Sequence, residues 1–177
     1  MTGHDVHAAA VMGQLRTATR AFATLDLTPA QTLTRLDQLT ADLTDEETSA
    51  TCVYAVHDPA TGDWDMARAG HPPPALARPG RAPVFPDLPP GLPLGIGVAD
   101  GGHYQATRVH IPRHSTLVLY TDGLIESPAA DMSTGMARLA GTVRATSTLP
   151  VSQACDALLA ALAPHPADDI AVLVART

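Results

Sequence analysis

The spacing of apolar residues changes period along the chain, and that change limits the folds open to it. Within residues 8–23, Val11, Met12, Leu15, Ala18 and Phe22 recur at the helical interval and share one face. Asp5 is placed to cap that helix. Residues 29–43 repeat the pattern with Leu33, Leu36, Leu39 and Leu43; Thr28 caps and Pro29 takes the first helical position. The acidic run Asp45, Glu46, Glu47 reads as an exposed loop. The period then becomes two. Residues 51–56 read as a strand and 63–69 as its hairpin partner, joined by Asp58, Pro59, Ala60, Thr61 and Gly62, which have turn chemistry.

Residues 70–102 are rich in Pro and Gly, which excludes a long helix or a central strand. An ordered loop with short edge strands near Leu76 and Val84 is expected there. Two strands follow, at 104–111 and 116–120, with the turn at 112–115. Helices are expected over 132–144, despite Gly135 and Gly141, and over 151–162, where Val151, Cys155, Leu158, Leu159 and Leu162 share a face. The continuous apolar run 170–175 predicts a last, fully buried strand. Runs of helices set apart from runs of strands predict an α+β fold with a largely antiparallel sheet.

A chain of 177 residues suits one domain, 1–177, with a core large enough to need no disulfide. Aromatics are only 3%, so that core is aliphatic. A net charge of -7 disfavours nonspecific nucleic-acid binding. Cys52 and Cys155 lack the spacing of a redox pair or a zinc knuckle and read as two buried thiols. There is no signal-peptide pattern and no apolar run near the ~20 residues of a membrane span. A soluble cytoplasmic protein with no membrane partner is expected.

Four local features carry chemistry. Residues 117–120 form an apolar strand that ends in Thr121, Asp122 and Gly123. A carboxylate at the rim of a sheet, on rigid backbone before a tight turn, suits a metal ligand; it equally suits a turn cap. Asp168 and Asp169 adjoin the last strand, and neighbouring carboxylates repel unless a cation or solvent separates them. His71 lies in the rigid turn Ala69, Gly70, His71, Pro72, Pro73, where it is either structural or faces a substrate. The segment from Leu92 to Gly97 is only a weak match to a phosphate-cradling glycine loop, because no helix follows it. His4 and His7, one turn apart, with Asp5 between them, are a further candidate pair for a transition metal.

Taken in order, the four features resemble the SpoIIE-like bacterial branch of the PPM metal-dependent protein serine/threonine phosphatases. That family shows Ala-Gly-His-Pro-Pro, then Pro-Leu-Gly, then Tyr-Thr-Asp-Gly, then an Asp-Asp pair before the final strand. The resemblance implies a layered α-β-β-α sandwich of antiparallel sheets, here lacking the first strands. It implies two Mn²⁺ or Mg²⁺ ions held by aspartates, with Asp122 and Asp168 as ligands and Asp169 beside them. Hard oxygen donors suit such ions. It also implies a phosphorylated regulatory protein as partner, such as an anti-sigma-factor antagonist.

The family's Asp-Val-x-Gly-His-Gly type motif survives here only as Met1, Thr2, Gly3, His4 and Asp5, without its bridging aspartate. The family's acid–base histidine is not carried over to His4, because the register differs. A late start codon, a true truncation and ligands supplied by another chain all account for this. Uncovered sheet edges would leave a homodimer open. The expectation is a partial phosphatase domain with weak or no activity alone; the alternative is a non-catalytic protein-binding module. Mn²⁺ separates them. At a hundredfold excess over its dissociation constant, a bound ion should stabilise the hydrolase by roughly 2.7 kcal/mol in a melt, and the module hardly at all.

Overall fold

In the computed structural model, Thr28 and Gln31 close a reciprocal helix cap. The Thr28 backbone N–H donates to Gln31 Oε1 (2.9 Å), and the Gln31 N–H to Thr28 Oγ1 (3.3 Å). Thr-x-x-Gln is a capping box, so the second helix starts at Pro29 as the sequence predicts. The structure describes residues 6–43, 49–96, 104–126, 131–163 and 169–177. The Asp5 cap and the acidic run 45–47 lie outside the described residues. The chain divides into two compact units, Met1–His71 with Leu88–Val109, and Pro72–Asp87 with His110–Thr177.

The first unit holds α1 (Val6–Phe22), α2 (Pro29–Leu43), β1 (Cys52–Asp58), β2 (Asp63–Ala69) and β4 (Thr107–His110). Its sheet has the order β1-β2-β4. The β1–β2 hairpin is antiparallel from Cys52↔Ala69 to Asp58↔Asp63. Gly62 closes its turn with φ 77°, donating its N–H to Asp58 O. Such a φ favours glycine. Arg108 of β4 grips Asp65 of β2 through both carboxylate oxygens, at 2.8 and 2.9 Å. Both side chains are exposed, so the pair adds little to stability. Val11, Leu15, Leu33, Leu36 and Ala67 form the core of this unit. Met12, expected on the buried face of α1, is 41% exposed.

The second unit holds β3 (Ala75–Ala77), β5 (Thr116–Tyr120), α3 (Met132–Thr146), α4 (Val151–Leu162) and β6 (Val172–Arg176). Its sheet has the order β3-β5-β6, antiparallel at both junctions. Val118, Tyr120, Leu124, Leu139, Val143 and Leu158 meet in its core. Burying a side chain such as Leu158 contributes roughly 1.5–3 kcal/mol. The expected edge pairing near Leu76 and Val84 is present as a bridge.

Three expectations are corrected. The strands around 104–111 and 116–120 do not share a sheet, so residues 112–115 switch between sheets. His114 takes φ 64° there and donates its N–H to Thr177 O, while Ser115 pairs its backbone with Thr177; the corner is pinned to the C-terminal residue. β6 is only half-buried, with Leu173 56% exposed, and it has one strand neighbour. On α4 the buried row is Ala154, Leu158 and Leu162, one strict four-residue row; Val151 and Leu159 flank it and remain partly exposed.

Two glycines in α3 behave differently. A Cβ at Gly135 would collide with the Ile125 carbonyl group, whereas nothing lies within 4 Å at Gly141. Gly135→Ala should therefore destabilise by about 1–3 kcal/mol in urea titration. Gly141→Ala should stabilise by about 0.5–1 kcal/mol.

Candidate functional site

β5 ends where its core-facing alternation meets the rim of the sheet. Tyr120, opposite Val172 in β6, is buried, and the chain then turns through Thr121 into the 3-10 turn Asp122–Leu124. Thr121 makes the junction with β6. Its N–H donates to Ala171 O (3.0 Å), and its Oγ1 donates to Asp169 O (3.2 Å) and accepts the Ala171 N–H (2.9 Å). One threonine thus fastens the exit of β5 to the entry of β6. The carboxylates of Asp122 and Asp169 sit on the two segments it joins, and both residues are exposed.

Asp122 Oδ1 accepts the Gly123 N–H at 3.0 Å, and the Asp122 carbonyl accepts from Ile125 and Glu126. Both readings of Asp122 remain compatible with this geometry: it orders the turn, and it presents a carboxylate to solvent at the rim. Gly123 has no positive φ, so its part is the N–H bond rather than the conformational freedom expected of it. Asp168 and His4 lie outside the described residues. Among the described residues no group of three or more His, Cys, Asp or Glu is placed to hold a metal ion. The carboxylate oxygens of Asp122 and Asp169 are hard donors of the kind that Mg²⁺ or Mn²⁺ takes.

The Gly70–His71 turn and the segment from Pro93 to Gly95 lie in the first unit and explain each other. Gly70 has φ 63°, and a Cβ there would lie 2.6 Å from the Pro93 ring, so glycine is needed for the close approach. The next residue, His71, contacts Thr51 Oγ1 through Nδ1 at 3.0 Å. Its carbonyl accepts from Arg68 Nη1, whose Nε holds Leu88 O. The segment from Pro93 to Gly95 is anchored in turn. Leu94 pairs with Ala50, and the Gly95 N–H donates to Asp37 Oδ1 at 2.8 Å. Tyr104 packs here too, its hydroxyl pushed well above the usual range by burial and by the Asp37 carboxylate. The geometry of this segment is that of a braced loop rather than a phosphate cradle.

Sequence reasoning missed Thr121 and Asp37. Thr121 stood inside a motif already noted. Asp37 carried a signal of its own, since it is a carboxylate next to Leu36 on the buried stripe of α2, and it is only 8% exposed. Thr121→Val should cost about 0.5–1.5 kcal/mol, because two solvent-exposed hydrogen bonds are exchanged for water. Asp37→Ala should cost about 1–3 kcal/mol through the stranded Gly95 N–H, read by urea titration.

Comparison with known proteins gives a consistent picture. Residues 1–177 match the family model described as Stage II sporulation protein E. The chain is similar to the RsbU and RsbW domains of a Mycobacterium tuberculosis protein. There the TM-score is 0.85 at 30% identity, over 98% of this chain and 48% of that one. It is similar in fold to the SiaA PP2C domain of Pseudomonas aeruginosa, with TM-score 0.79 at 22% identity, over 99% of this chain and 71% of that one. The PP2C phosphatase domain of the cell-fate determinant SpoIIE from Bacillus subtilis, with part of its regulatory domain, matches with TM-score 0.73 at 13% identity, over 99% and 52%. The chain thus spans about half the length of the Mycobacterium tuberculosis chain.

Proposed function

The chain belongs to the SpoIIE family of PPM-type phosphatase domains, and on that premise we propose that it hydrolyses phosphoserine or phosphothreonine on a regulatory protein in a metal-dependent reaction. The observation that carries this reading is the Thr121 junction, which brings Asp122 and Asp169 to one rim. Residues 1–177 are read as one phosphatase domain, a reading supported by the family model that runs across them.

In this reading Asp122, Asp168 and Asp169 hold Mn²⁺ or Mg²⁺. Such ions, when bound, supply a water of lowered pKa and neutralise charge on the phosphoryl oxygens. The residues of the chain do the positioning. Thr121 fixes the spacing of the two strand ends. The Gly123 N–H orients one oxygen of Asp122 and leaves the carboxylate facing solvent, where a phosphorylated side chain has access. His71 is assigned a structural role through Thr51. The partner we favour is an anti-sigma-factor antagonist or a similar phosphorylated regulator, and the setting cytoplasmic. The joining of RsbU and RsbW domains in the Mycobacterium tuberculosis relative supports a place in partner switching. No described helix is long and apolar enough to cross a membrane.

A second reading, a non-catalytic protein-binding module, is favoured by the shortage of ligands among the described residues. Each divalent ion wants about six oxygens, and the three carboxylates named supply few of those that two ions need. Activity of the chain alone should accordingly be weak. Phosphate release from a phosphoserine peptide, with and without Mn²⁺, decides between the readings. The phosphatase reading expects Mn²⁺-dependent turnover that falls about 100-fold or more in Asp122→Asn, the order expected when groups at the reacting centre lose their placement. A folded protein with no turnover sinks it in favour of the module; turnover indifferent to Asp122 sinks the role given to that carboxylate.

A further inference from the structure

The far rim of the same sheet carries the opposite charge. Ala77, Thr116 and Arg176 are neighbours in register across β3, β5 and β6. They line a cavity of about 630 Å³ together with Arg78, Arg81 and Arg144. Among the described residues no acidic side chain lines it. Thr116 lies about 14 Å along β5 from Tyr120 at ~3.4 Å per residue, so the cavity is well separated from Asp122.

The arginines are placed by built structure. Arg78, Pro79, Gly80 and Arg81 form a turn after β3, with the Arg81 N–H donating to Arg78 O and Gly80 at φ 69°. Proline followed by a positive-φ glycine is the pattern of a type II turn, and it displays an arginine at each end. Arg176 is held by Thr116 Oγ1 through Nε and by Ser147 O through Nη2. Arg144 sits in the last turn of α3. The Arg78 Nε is buried and has no hydrogen-bond partner among the described residues. A second cavity, of about 560 Å³, lies against the same turn and adds Arg113 and His110. Five of the chain's 11 arginines thus gather here, in a protein of net charge -7. Among the described residues none of the five is in an ion pair.

Clustered guanidinium groups repel one another unless an anion lies between them, and their planar forks match phosphate oxygens. The volume falls within the ~300–1,000 Å³ of small-ligand sites. Among the described residues that line it, the His114 imidazole is the one aromatic ring. We propose that this cavity is a binding site for the di- or triphosphate group of a small molecule, separate from the carboxylate rim.

The test is calorimetric titration of the whole chain at about 150 mM salt, without divalent cations. Tripolyphosphate, ATP and orthophosphate are the probes. Saturable one-to-one binding of tripolyphosphate is expected, at least about tenfold tighter than orthophosphate. The double variant R81Q/R144Q should weaken it about tenfold or more; both side chains are exposed, so the fold should survive. R108Q, in the other unit, and D122N should bind as the parent does. ATP matching or exceeding tripolyphosphate makes a nucleotide the source; weaker ATP binding makes it a free polyphosphate; either supports the site. Equal affinity for orthophosphate and tripolyphosphate, no saturable binding, or binding unchanged in R81Q/R144Q overturns it. R78Q is the check should the double variant fail to fold.

Discussion

The hydrogen bonds of Thr121 fix what the second unit can do. A strand leaving a sheet carries its last side chain wherever the backbone turns, and alone it would leave Asp122 at a frayed end. The Thr121 hydroxyl stops this by donating to Asp169 O and accepting from the Ala171 N–H. Strand β5 is central, paired on both sides, so this clamp sits on the most constrained backbone of the unit. Carboxylates gather at its exit and guanidinium groups at its entry, along one short strand.

The first unit shows how a motif can act through packing. Gly70 is required by the Pro93 ring, and Gly95 by its φ of 86°. The two glycine-containing segments brace one another, with Arg68 holding the carbonyls of His71 and Leu88. A buried carboxylate is costly unless hydrogen-bonded, and Asp37 meets that condition through the Gly95 N–H. The pairing joins residues far apart in the chain, which makes it a tertiary constraint on a loop rich in Pro and Gly.

Much of the fold was legible because its causes are local. Thr28 and Pro29 marked the start of α2; the Asp58–Gly62 turn and alternation marked the β1–β2 hairpin; both later helices begin at the expected residues, Met132 and Val151. The errors came where neighbours decide. Residues 112–115 read as a simple turn, yet the partner of that corner is Thr177, at the chain's end. The apolar run of β6 read as fully buried, yet burial depends on strand order, and β6 lies at an outer position of its sheet. Gly135 read as a weakness in its helix, and the contact with Ile125 explains it.

For the site, the sequence by itself determined which residue types were present and in what order. The resemblance to the phosphatase family, later matched by the family model, rested on that order. What only the tertiary structure decided was which groups meet. The Thr121 bonds to Asp169 and Ala171 span 48 and 50 positions, and the Asp37–Gly95 bond spans 58. The arginine cavity draws on β3, the corner at His114, the end of α3 and the end of β6. Periodicity and turn chemistry act over a few residues, so they reveal elements. Hydrogen bonds and clustered charge act through space, and only the folded sheet brings their partners within reach.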